Sequence, residues 1–70
     1  MNANELRAEV IRKGKSVGEL CTAMGISMTS WFRKIKGDSE FTQNEIRIIR
    51  HELQLDDTQT ASIFFNDEVS

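Results

Sequence analysis

Apolar residues recur along this chain at helical spacing, and alternation of β-branched residues is rare. Leu6 and Val10 stand four apart, and so do Leu20 and Met24, and Trp31 and Ile35. Ile46, Ile49 and Leu53 continue the pattern, and Ile63 and Phe64 end it. Proline is absent, so glycines and capping residues supply the punctuation. The first helix begins near Asn2, with Glu5 as capping-box partner, and runs to Lys13, where Gly14 gives a left-handed exit. Ser16 and Glu19 form a second capping box that opens a helix through Met24. Gly25 breaks it, Ile26 follows as a buried hinge residue, and Ser27 caps a third helix ending at Lys36 before Gly37. Thr42 and Glu45 box a fourth helix, with Phe41 placed to staple against Ile46. Asp56 or Asp57 caps a fifth. Connections of three to five residues suit a compact all-α bundle of five helices.

Seventy residues make one domain over 1–70, near the lower limit for an unaided core. Hydrophobic residues are 39% and charged residues 29% of the chain, too apolar for disorder. The size leaves no room for an enzyme cleft with separate binding and catalytic walls. His51 stands between Arg50 and Glu52 without a catalytic set, a metal-ligand pair or a phosphate-binding loop, so the expectation is no enzyme, no metal and no cofactor. The single cysteine, Cys21, reads as a small packing residue in a reducing compartment. The charged start MNANELRAEV and the lack of a long apolar run predict neither secretion nor a membrane span, hence a cytoplasmic protein.

The net charge is −2, but it is unevenly spread. Residues 1–37 hold seven basic and three acidic side chains, and residues 38–70 two basic and eight acidic. Screening limits a charge to roughly 10 Å in salt, so a polyanion responds to the face it meets rather than to the total. The sequence therefore predicts a basic front and an acidic back, with Asp56, Asp57, Asp67 and Glu68 turned away.

Residues 16–36 have the spacing of a helix-turn-helix, with Gly25 in the turn and the small Cys21 where the two helices meet. The run LCTAMGIS, followed by Trp31 and Gly37, resembles the λ-repressor-like helix-turn-helix family. FRKIKGDSEFTQNEIRIIRHELQL with IFFNDEV resembles, more narrowly, the small Cro/CI-type regulators of bacteriophages and prophages. The likeness covers nearly the whole chain. It implies a five-helix domain without cofactor or small-molecule ligand that binds double-stranded operator DNA, usually palindromic and as a homodimer, in a bacterial host's cytoplasm. Val17 stands where many relatives carry a phosphate-contacting Gln.

Helical phase, at about 100° per residue, turns Trp31 and Ile35 inward and Thr29, Ser30, Arg33 and Lys36 outward. The N-terminal part of a recognition helix approaches base edges, so Ser27, Met28, Thr29, Ser30 and Arg33 are the expected base contacts. Met28 and Phe32 flank the core and are open to either the core edge or a thymine methyl, with the core edge favoured. Phosphate contacts are expected from Ser16, Val17, Lys34, Lys36, Thr42, Gln43 and Asn44. Lys34 has packing over Trp31 as its alternative, and Arg47 and Arg50 have ion pairing as theirs. Ile63, Phe65 and Val69 are the expected dimer contacts, since consecutive phenylalanines cannot both face one core. A protein–protein module is the rival reading, and excisionase- and antitoxin-type binders are rivals within DNA binding. The compact single domain favours the Cro-like form.

Overall fold

The computed structural model, described over residues 1–65, contains five α-helices in that range: α1 Ala3–Arg12, α2 Val17–Met24, α3 Met28–Lys36, α4 Gln43–Leu53 and α5 Asp57–Phe64. Each has eight to eleven residues, short of the roughly 12–15 at which an isolated helix becomes marginal in water. They persist because caps and tertiary burial compensate. Every one begins on a side chain that accepts the third residue's N–H: Asn2, Ser16, Ser27, Thr42 and Asp56. Such a cap is worth about 1 kcal/mol.

Three of the five caps are reciprocal boxes: Ser16 with Glu19, Thr42 with Glu45, and Asp56 with Gln59. The first expected box is only half made. Asn2 accepts from the Glu5 N–H at 3.1 Å, but its own N–H donates to the Ile63 carbonyl at 2.7 Å. That second bond fastens the start of α1 to α5.

The core is one cluster drawn from every helix: Leu6, Val10, Leu20, Cys21, Trp31, Ile49, Leu53, Leu55 and Ile63. Here α2 packs on α3 and α4, and α1 packs on α5. An aromatic chain links three elements, with Phe41 edge-on to Trp31 at 5.5 Å and to Phe64 at 5.7 Å. The Cα radius of gyration is 11.2 Å, close to the roughly 11 Å expected for a compact chain of this length. No described helix is long and apolar enough to cross a membrane.

Two core features escape the apolar pattern. Leu55 is buried between α4 and α5, reached through Gln54 in a left-handed conformation (φ 53°). Glu9 is buried, ion-paired with Arg12, and has Lys13 Nζ 4.0 Å away. That ammonium also donates to the Leu53 carbonyl at 2.8 Å, closing the end of α4.

One expected dimer contact is overturned. Ile63 is fully buried beneath α1, so it has no surface to offer a second subunit. Val69 lies outside the described residues, as do Asp67 and Glu68. Phe65 is 53% exposed, while Phe64 packs on Phe41.

Candidate nucleic-acid interface

The turn between α2 and α3 is three residues long. Gly25 adopts φ 73°, ψ 30°, a left-handed conformation that costs an L side chain roughly 1–2 kcal/mol. Its N–H reaches the Thr22 carbonyl, and the next N–H, of Ile26, reaches that of Cys21 at 3.0 Å. The carbonyls left free at the end of α2 are thus satisfied, and the chain reverses at once into Ser27, the cap of α3. Cys21 lies at this reversal, its Sγ 3.9 Å from the Ser27 carbonyl and 3.7 Å from Met28 Sδ. Burial pushes its thiol pKa up, which keeps it protonated and suits a packing role over a nucleophilic one.

Trp31 is buried and Ile35 is half-buried, and they fix the inner side of α3. Phe32 and Lys34 lie at mirror positions, each about 80° from the midline of that pair. Polarity alone would bury the phenylalanine and expose the lysine. The structure does the reverse. Phe32 is 50% exposed, whereas the Lys34 side chain is only 12% exposed. Its ammonium sits 3.1 Å from a Glu45 carboxylate oxygen, donates to the Glu40 carbonyl at 3.1 Å, and lies 5.7 Å from the centre of the Phe41 ring. Phe41, rather than Trp31, is the ring it covers. Lys34 therefore leaves the phosphate set, because its charge is spent inside the molecule.

The outer face of α3 is correspondingly rotated. Phe32, Lys36, Thr29 and Arg33 share an arc of about 100°, all of them exposed, and Met28 beside it is 45% exposed. The core edge favoured for Met28 and Phe32 is thus corrected toward solvent. Ser30 lies at the opposite margin and is half-buried. Ser27 is exposed but locally engaged: its Oγ accepts from the Ser30 N–H at 3.1 Å and donates to Ser30 Oγ at 3.3 Å. Both serines thus act first as the cap of α3.

Arg33 has no ion-pair partner among the described residues, and α3 contains no carboxylate. Lys36 has only Asp38 at 3.8 Å, an exposed pair of a kind worth at most about 1 kcal/mol. These two are the available cations of the face. Elsewhere Arg12 pairs with Glu9, Lys15 with Glu52 and Arg50 with Asp57, while Arg7 is exposed with no ion-pair partner among the described residues. The basic front is accordingly narrower than the count implies.

Two helix starts flank this face in the chain. At α2, Ser16 is exposed and boxed with Glu19, and Val17 is half-buried against the core, leaving its backbone N–H as its polar group. Glu19 also places a carboxylate at that end. At α4, Thr42, Gln43 and Asn44 are exposed, and the Lys34–Glu45 pair ties this first turn to α3. Arg47 is exposed and unpaired among the described residues, and with Arg50, His51 and Gln54 it lines an open cleft of about 430 Å³. No cluster of His, Cys, Asp and Glu able to hold a metal occurs among the described residues.

No protein-family model, curated protein or solved structure matches this chain.

Proposed function

We propose that this chain is a sequence-specific double-stranded DNA-binding regulator of the Cro-like type, with a λ-repressor-like arrangement in which α3 enters the major groove. The observation that carries the reading is the outer face of α3. A short helix follows a glycine turn and presents Thr29, Arg33 and Lys36 to solvent, with an unpaired guanidinium and no carboxylate on the whole helix. An α-helix fits the major groove, and Arg there can donate two hydrogen bonds to guanine. In this reading Thr29 and Arg33 read bases and Lys36 meets phosphate. The exposed starts of α2 and α4 hold the backbone through their free N–H groups, which point out along the positive end of each helix dipole.

Binding as a homodimer belongs to the same proposal. Exposed Phe65 borders a groove of about 680 Å³ lined by Phe64, Phe41, Ile35 and Ile46 but also by Lys36 and Gln43, so in this reading the dimer contact is Phe65 itself and not the whole groove. A two-fold pair joined there would present two α3 helices, and a palindromic site about 34 Å from centre to centre would fit them.

Arg33→Ala tests the reading on a duplex selected for tight binding. Loss of about 1–3 kcal/mol, with relaxed preference at one base pair per half-site, is expected. Equal weakening on every sequence would reassign Arg33 to phosphate. No weakening at all would remove α3 from the interface. A protein–protein module is the second reading, favoured by the apolar exposure of Phe65 and Phe32.

A further inference from the structure

Phe32 and Met28 are large apolar side chains four residues apart on α3, and both stand about half in solvent. Residues at this spacing are neighbours on a helix surface. Met28 is held from below by Cys21 at 3.7 Å. Phe32 lies on the side of α3 opposite the Lys34–Glu45 pair, among the exposed Thr29, Arg33 and Lys36. Phe65, by contrast, borders a groove lined by Phe41 and Phe64 together with Lys36, Glu40 and Gln43.

The surroundings define what would cover it. An apolar protein surface laid over Phe32 would also bury Arg33 without a counter-charge, a costly outcome. The occupant must bring negative charge beside an apolar projection. The major groove does this, since phosphates flank it and the thymine C5-methyl is its one apolar group.

We infer that Phe32, backed by Met28, is a specificity-determining side chain that packs on a thymine methyl, so that the preferred duplex carries thymine where the middle of α3 faces the bases. This rests on the reading of α3 as the base-contacting helix. Cytosine at that position would replace the methyl with a bare C5 and set a polar amino group near the ring. Phe32 therefore discriminates by shape and desolvation, alongside the hydrogen bonding of Arg33.

Removing only the methyl tests this. Duplexes are selected from a random library with the wild-type protein, and each thymine of the preferred site is replaced in turn by deoxyuridine. At fixed salt, one position per half-site should lose about 4-fold in affinity, the equivalent of one buried methyl-sized group. Phe32→Ala should bind the thymine and uracil versions equally, while Phe32→Leu retains part of the difference. Because Phe32 is half exposed, helical content and melting of the variants should stay near wild type.

Absence of methyl dependence at every thymine would overturn the inference, and this arm needs only the wild-type protein. Persistence of the dependence in Phe32→Ala would overturn it too and transfer the contact to Thr29. A sedimentation change in Phe32→Ala with methyl dependence intact would assign the ring to a protein interface instead. A library that yields no preferred sequence removes the base-reading role of α3 and this inference with it, whereas a clear motif without methyl dependence removes Phe32 alone.

Discussion

Gly18 occupies the first turn of α2, and a Cβ placed on it would meet only Ser16 Oγ, at 3.8 Å. That is ordinary contact, and its backbone is not left-handed, so the residue costs helix stability without a steric need. Gly18→Ala should raise stability by about 0.5–1 kcal/mol in a urea or thermal melt. A loss would mean that a side chain at this position meets a steric conflict in the first turn of α2. The inverted pair Phe32 and Lys34 marks the limit of reading single residues from phase. Trp31 and Ile35 were legible as core, because a strong apolar pair fixes its own side of the helix. The flanks were not, since both lie equally far from the midline. What decided them is tertiary: Phe41 and Glu45 arrive on one side and accommodate an ammonium, while on the other Cys21 supports Met28 and leaves Phe32 half exposed. Glu9 was illegible for a similar reason, because its burial depends on where α1 packs.

Among the elements, the junction of α3 with α4 is where the fold meets the proposed interface. Glu45 closes the capping box of α4 and pairs with Lys34 across to α3, so one carboxylate sets the first turn of α4 against α3. Its burial would raise its pKa, but the Thr42 N–H and the Lys34 ammonium outweigh that and hold it below the ordinary 4.5. A depressed carboxyl stabilises the fold above its unfolded value and loses that contribution as pH falls through the lower folded value. Glu45→Gln keeps the box geometry and removes the charge. It should cost about 1 kcal/mol at neutral pH. The gap to wild type should close as pH drops from about 4.5 toward the depressed folded value. A gap independent of pH would show that the Lys34 pair contributes nothing. Helix starts were the most legible feature at this scale, since Ser16, Ser27 and Thr42 announce themselves by residue type and by Glu three positions on in two cases. The end of α4 was less so. It closes on a left-handed Gln54, where glycine or asparagine is the usual signal, and is completed by Lys13, the C-cap of α1, forty residues before Leu53 in the chain.

For the whole molecule, the count of charges overstated the polarity of the surface. Four of the seven cations of the first half, Arg12, Lys13, Lys15 and Lys34, are paired within the fold, and Arg33 and Lys36 are what remains available on α3. A DNA complex built on so few cations should depend on geometry as much as on charge, and a second subunit would double both. Of the expected dimer contacts, Phe65 is the one found exposed among the described residues, Ile63 being buried. Sedimentation of wild type and Phe65→Ala, with and without a palindromic duplex, should show a dimer on DNA for the first and a monomer or weakened complex for the second. Identical behaviour would remove Phe65 from any interface. Whether α3 reads duplex DNA is decided by selection from a random duplex library at two salt concentrations. A base-reading α3 should yield a single enriched motif with two-fold symmetry, bound more weakly at the higher salt as phosphates recover their counterions. No enrichment at either salt, or binding indifferent to salt, would contradict it.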